Sequence, residues 1–345
     1  ASALALIPLS ASACTSFLLS GNDGGHVYGR TMEFGQPFNS QGILIQRGTA
    51  MEGVGPDGTP GSGLKWKTKY AVVGLNVLGQ TMVVDGMNEK GLAGGLLNFV
   101  GYAKYQNVPA GQEAKSIVSW QMLVYVLSNF ATLDEVKEGL PKILVNGAPL
   151  ASFGGSAQIH MTLHDSQGNS IVVEYLEEGL QITDNPTGIL TNNPPFKYHL
   201  AAVGNYANLS ANPAASSGDG FMGLPGDFLS SSRFVQAFTF VRFAPTNLTT
   251  EQQVNTAFHI LGQFDLPPGS VALPVGSAYG GANKAAGYEI TEWTAAADLK
   301  NLIYFVRTYE NFDLRSLNIN ELPLAGGKSI ILALNQKQSV TPLKP

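Results

Sequence analysis

Leu6-Ile7-Pro8-Leu9-Ser10-Ala11-Ser12-Ala13-Cys14-Thr15-Ser16-Phe17 carries an apolar run into the lone cysteine of 345 residues, and the fold follows from how that junction is read. Ala11 and Ala13 put small residues where a signal peptidase accepts them, the A-x-A pattern. Residues 1–13 are therefore expected to be the remainder of a secretion signal that is removed, leaving residues 14–345 as a single catalytic domain. The run is too short to span a bilayer, which takes about 20 apolar residues. Cleavage after Ala13 would leave a free α-amine and a thiol on one residue. A thiol of ordinary pKa, near 8.5, is a poor nucleophile until its proton is taken, and an α-amine of pKa about 7.7 to 8.0 is a base matched to that task.

Other readings of Cys14 lead elsewhere. A single cysteine excludes an intramolecular disulfide and a CxxC metal or redox site. An inert, buried thiol is one alternative. Lipidation is another and would make the chain an exported lipoprotein or binding module without turnover, although Ala11 stands where a lipobox usually has Leu. Only 13% of residues are charged, the formal net charge is −5, and Gly (40) and Pro (19) are frequent. That is the composition of a soluble globular protein. With no basic stripe and no second long apolar run, nucleic acid is excluded as a partner and no integral membrane segment is expected.

Short apolar or alternating segments bounded by turn residues predict strands at 15–19, 42–47, 70–76, 81–87, 92–98, 160–164, 170–175, 180–183, 290–298, 302–308 and 329–334. Helical periodicity predicts helices at 114–130, 132–140, 230–243 and 250–264, with Thr132 and Glu135 spaced as a capping box. Runs of strands followed by helices argue for an α+β domain in layers. The polar, Gly-rich stretches at 52–63 and 210–220 read as long surface loops. His160 and His164, four apart in a predicted strand, are about 13 Å from each other and cannot share a metal ion. His26, His199 and His259 have no local ligand partner, and no metal site is expected.

Five motifs then fall in order: Cys14-Thr15-Ser16-Phe17; Gly29-Arg30-Thr31-Met32-Glu33; Asp85-Gly86-Met87-Asn88-Glu89-Lys90-Gly91-Leu92 with Leu97-Asn98-Phe99; Leu190-Thr191-Asn192-Asn193-Pro194; and Gly223-Leu224-Pro225-Gly226-Asp227-Phe228 with Ser232-Arg233-Phe234. Their order and spacing, extending to Thr308-Tyr309-Glu310-Asn311, closely resemble the choloylglycine hydrolase family, which contains conjugated bile salt hydrolases and penicillin V acylases. The resemblance implies an N-terminal-nucleophile hydrolase with a four-layer αββα sandwich and the nucleophile at the start of an inner strand. It also implies a thioester acyl-enzyme at Cys14 and no cofactor. Arg30 matches the arginine beside the thiol, where a fixed positive charge favours the thiolate. Asn98 and Asn192 match positions linked to the oxyanion hole, where losing a donor typically costs roughly 3 kcal/mol. Arg233 matches a second active-site arginine.

One position departs from the family. Asp is usual three residues after the first arginine, where its carboxylate holds the nucleophile's polar groups, and this chain has Glu33. The same role is expected, with the carboxylate displaced by about 1.5 Å. Met32, Phe34, Phe38 and Tyr102 are expected to line an acyl pocket. The resemblance further implies a small-molecule acyl amide as substrate and a homotetramer. Asn98, common in bile salt hydrolases where some penicillin V acylases have Tyr, points to conjugated bile salts. The apparent signal and the short segment 202–220 resemble exported Gram-negative acylases of penicillin V and N-acyl homoserine lactones. The latter, periplasmic, branch is the expectation, with bile salt hydrolysis as the alternative.

Overall fold

A computed structural model of the chain describes residues 13–35, 37–150, 155–211, 220–272, 287–334 and 336–344. All of the expected signal at 1–13 but Ala13, and most of the loop expected at 210–220, lie outside the described residues. In chain order the strands of the two large sheets are β1 (Thr15–Ser20), β2 (His26–Phe34), β3 (Gly42–Ile45), β4 (Val72–Leu75), β5 (Asp85–Asn88), β6 (Ala93–Asn98), β7 (Ile159–His164), β8 (Ser170–Leu176), β9 (Gly179–Asp184), β10 (Ile290–Asp298), β11 (Ile303–Thr308), β12 (Asn311–Asn318) and β13 (Ser329–Leu332). The first sheet runs β1-β2-β10-β11-β12 and the second β9-β8-β7-β6-β5-β4-β3-β13. Neighbouring strands are antiparallel throughout both.

Alternation along the strands explains the layers. In β3, Ile43 and Ile45 join one buried cluster and Leu44 the other, and Val72 and Val73 of β4 divide in the same way. A strand whose two faces are both buried reads as a continuous apolar run. Helices α1 (Met122–Asn129) and α2 (Leu133–Gly139) pack on the outer face of the eight-stranded sheet through Leu123, Val126, Leu127 and Val136. On the five-stranded sheet, α4 (Ser230–Arg242) and α5 (Thr250–Leu261) contribute Phe234, Ala237, Val254, Ala257 and Leu261. Between α2 and α4 lies α3 (Phe196–Val203). The result is the αββα sandwich. Among the described residues no helix is long and apolar enough to cross a membrane.

Three expectations need correction. The helix expected from 114 begins only at Met122, because the β-branched Ile117 and Val118 lie in a short strand, Ser116–Val118, paired parallel with Leu144–Asn146. Residues 81–84 precede β5 rather than forming it. The sequence reading also passed over β2, β12 and α3. In β2 the charged Arg30 and Glu33 interrupt the apolar pattern, yet both are fully buried. At the start of α2, Thr132 Oγ1 accepts from Glu135 N at 3.2 Å, a cap of about 1 kcal/mol. Glu135 Oε2 in turn accepts from Ala131 N rather than from Thr132.

Candidate active site

β1 and β2 set the centre of the site. Thr15 pairs with Thr31 and Ser16 with Arg30, so Cys14, one residue ahead of β1, comes level with Met32. The pleat sends alternate side chains of β2 to opposite faces. Arg30 and Met32 share the face that carries the thiol: Arg30 Nη2 lies 3.9 Å and Met32 Sδ 4.0 Å from Cys14 Sγ. Thr31 and Glu33 take the other face. There Thr31 Oγ1 accepts from Thr15 N at 3.1 Å and Glu33 Oε1 accepts from Thr291 Oγ1 at 3.1 Å.

The segment carrying Asn192 is tied to β1 by a two-way bridge, Ser16 N to Leu190 O at 2.8 Å and Leu190 N to Ser16 O at 3.1 Å. The two stretches run antiparallel, so two residues further on Asn192 faces Cys14. Asn192 Oδ1 accepts from Cys14 N at 2.8 Å and from Arg233 Nη2 at 2.8 Å, while Asn192 Nδ2 donates to Asn98 O at 3.0 Å. Donors on one side and a carbonyl on the other fix which way the amide points. Behind this loop, the ring nitrogens of His160 and His199 reach Thr191 O at 2.8 Å and Asn192 O at 2.9 Å. Burial pushes His199 down to about 4.

Arg233 enters from the first turn of α4. Its Nη1 donates to the Cys14 carbonyl and, at 2.8 Å, to Thr15 Oγ1, and its Nε donates to Phe228 O at 3.0 Å. Burial lowers its pKa, against the opposing fields of Glu33 and Cys14. Glu33 itself is pushed well above the carboxylate range by burial, which outweighs Arg233. Glu289, on the same side, is pushed by burial up to about 8, with Arg233 again opposing.

Arg30 is held differently. Its Nη1 donates to Val84 O at 2.6 Å and meets Asp85 Oδ2 at 3.4 Å, its Nη2 donates to Leu96 O, and its guanidinium lies 5.3 Å from the Trp293 ring centroid. Burial alone would lower its pKa, but the Cys14, Asp85 and Tyr28 fields outweigh it and the pKa rises. Asp85 accepts from both Tyr28 and Tyr304 hydroxyls at 2.5 Å. Burial raises Asp85, and Arg30 and the phenols oppose that rise. Gly95 leaves room for this knot, since a Cβ there would come within 2.7 Å of Tyr28 OH, Arg30 Nη1 and Asp85 Oδ2.

Cys14 opens into an apolar pocket lined by Met32, Phe34, Phe38, Met82, Trp120 and Ile159, among others, with Glu33 and Asn98 also on its wall. Phe34 and Phe38 stack with centroids 4.1 Å apart. The structure thus brings together Cys14, Arg30, Met32, Phe34, Phe38, Asn98, Asn192 and Arg233. Two expectations change. Tyr102 is 39% exposed, stacks on Phe99, and is not part of the pocket wall, because the chain turns outward after Phe99. Glu33 does not supply the partner of Cys14 N; Asn192 does, because the pleat turns Glu33 toward Thr291. The sequence reading quoted Asp85 in a motif without assigning it, and missed Tyr28 and Tyr304. Among the described residues no cluster of His, Cys, Asp and Glu could hold a metal ion.

Comparison with known proteins adds to this geometry. The family model described as linear amide C–N hydrolases, choloylglycine hydrolase family, matches residues 14–338, starting on Cys14 itself. A bile salt hydrolase/transferase of Clostridium perfringens is 31% identical over 342 residues, covering 95% of this chain and 98% of that protein. A penicillin V acylase of Pectobacterium atrosepticum is 26% identical, covering 80% and 74%. The crystal structure of the R18L variant of conjugated bile acid hydrolase from Clostridium perfringens superposes with a TM-score of 0.81 at 29% identity, over 96% of this chain and all of that one.

Proposed function

The chain belongs to the choloylglycine hydrolase family of linear amide C–N hydrolases, and from that premise we propose that it cleaves the amide of a bulky, apolar carboxylic acid, with conjugated bile acids as the substrate class, using Cys14 as an N-terminal nucleophile. The observation that carries this reading is the thiol at the floor of an apolar pocket with Arg30 at 3.9 Å and Asn192 on its backbone nitrogen. The 31% identity to a bile salt hydrolase/transferase over nearly the whole chain favours bile acids over the exported-acylase branch.

Removal of residues 1–13 turns the nitrogen that donates to Asn192 into the α-amine. That amine takes the thiol proton, the sulfur attacks the amide carbonyl, and the amine returns the proton to the leaving nitrogen. A thioester remains, and water activated by the same amine hydrolyses it. Arg30 favours the thiolate, while Arg233 pins the Cys14 carbonyl so that the nitrogen and the sulfur keep their relative positions. The second proton on Asn192 Nδ2 and the Asn98 amide are the donors for the oxyanion. The steps call for no cofactor. Ala11-Ser12-Ala13 supports export to the periplasm of a Gram-negative cell as the route to the mature N-terminus.

Penicillin V is the second reading, supported by the Pectobacterium relative. Purified mature protein and its Cys14→Ala variant decide between them, with free amine measured from glycine- and taurine-conjugated bile acids, penicillin V and a long-chain N-acyl homoserine lactone. The expected result is Cys14-dependent release from the bile acids at a rate at least tenfold above the other substrates. Faster release from penicillin V would move the assignment to that branch. Release that survives Cys14→Ala would remove the nucleophile.

A further inference from the structure

Asp85 belongs to the Asp85-Gly86-Met87-Asn88-Glu89-Lys90-Gly91-Leu92 motif but has no part in the chemistry above. It lies at the start of β5 in the eight-stranded sheet, fully buried, facing Arg30 of β2 in the five-stranded sheet. Three donors converge on it: the two phenol hydroxyls at 2.5 Å and Arg30 Nη1 at 3.4 Å. Arg30 does not depend on Asp85 for its position, because Val84 O and Leu96 O hold its two terminal nitrogens.

We propose that Asp85 is the counter-ion that tempers Arg30, limiting how far that guanidinium drives the Cys14 thiol toward thiolate. The inference rests on the nucleophile assignment above. An uncompensated buried guanidinium beside sulfur would give a standing thiolate, and thiolate nucleophilicity falls as its basicity falls. A standing thiolate would also leave the α-amine with no proton to take. Asp85, which meets Arg30 Nη1 while Arg30 Nη2 reaches the thiol, is thus a positioning residue acting through Arg30. The other charged or titratable groups around the thiol are Tyr28 and Tyr304, which burial and Asp85 hold protonated, His164, whose ring is tilted against Tyr28 with centroids 5.0 Å apart and which burial pushes to about 3, and Arg233 with its neighbours Glu33 and Glu289. Among the described residues, only Asp85 and Arg30 form an ion pair on the thiol's own face of β2.

Because the chain has one cysteine, iodoacetamide alkylation of the mature protein reports Cys14 alone. In Asp85→Asn the alkylation midpoint is expected to fall by roughly one pH unit, and the limiting rate at high pH to fall about threefold. Loss of packing would do the reverse, raising the limiting rate and moving the midpoint toward that of an ordinary thiol. An unchanged or raised midpoint in a folded Asp85→Asn protein overturns the proposal. Should that variant not fold, Asp85→Ser removes the same charge with a smaller side chain and carries the same expectation. Alkylation needs no substrate, so this test can fail while amide turnover by the wild type stands, and the reverse.

Discussion

Two fully buried arginines flank Cys14 from opposite faces of the same strand pair, and they are built on different principles. Arg30 faces the space between the sheets, has Asp85 as a charged partner, and reaches the thiol. Arg233 comes from α4 on the outer face and grips neutral oxygens: the Cys14 carbonyl, Thr15 Oγ1 and Asn192 Oδ1. Carboxyls that approach Arg233, Glu33 and Glu289, are driven upward by burial rather than locked as anions. The first arginine puts its charge beside the sulfur. The second holds the backbone of Cys14.

Replacing each by Lys tests that division most strongly. At 233 the planar fork spans Cys14 O, Thr15 Oγ1 and Asn192 Oδ1, and a single ammonium cannot reproduce it. Arg233→Lys is expected to lower kcat about 100-fold, the scale of roughly 3 kcal/mol lost from one catalytic contact. At 30 the charge is what the thiol feels, so Arg30→Lys should cost about tenfold and raise the pH midpoint of Cys14 alkylation. Steady-state turnover of the preferred amide by both variants is the measurement. Equal losses, or the larger loss at 30, would break the comparison.

A smaller effect lies in stability. Glu289 has a folded value of about 8 against an ordinary 4.5, so the folded state binds the extra proton. Its contribution is complete below pH 4.5 and is lost as pH rises through 8. Thermal unfolding should therefore show the midpoint falling from pH 5 to pH 8 in the wild type. Glu289→Gln, neutral at every pH, should flatten that slope and unfold a few degrees higher than wild type at pH 8. A parallel slope in the variant would mean that Arg233 keeps Glu289 charged, and the second arginine would then resemble the first.

Much of this arrangement was legible before any coordinates. The cysteine at the end of an A-x-A run, the spacing from Cys14 to Arg30, and Asn192 and Arg233 in their motifs all fall at the site, because sequence order along antiparallel strands maps directly onto register. What the sequence hides is facing. β2 carries Arg30 and Glu33 where a half-exposed strand would carry alternating polar groups, and only the second sheet and α4 show that both faces are buried. Tyr28 and Tyr304 come from strands far apart in the chain, so no local pattern could join them to Asp85. Tyr102 looked like a pocket residue by its distance from Asn98, but the chain turns after Phe99 and carries it outward.

Glu33 gives the smallest expected effect and the finest test of the two faces. Its Oε1 accepts from Thr291 Oγ1 at 3.1 Å, and Thr291 Oγ1 also accepts from Leu266 N at 2.8 Å. Glu33→Asp withdraws the carboxyl by about 1.5 Å, losing the Thr291 bond and about 1 kcal/mol of stability. The bonds of Asn192 and Arg233 to Cys14 are untouched by that change. Turnover should shift by less than about twofold while the unfolding midpoint drops by a few degrees. If turnover instead moves tenfold with stability unchanged, the carboxyl reaches the α-amine once residues 1–13 are gone. Its face of β2 would then belong to the chemistry as much as the thiol's does, and Asn192 would share the nitrogen of Cys14 with an acid.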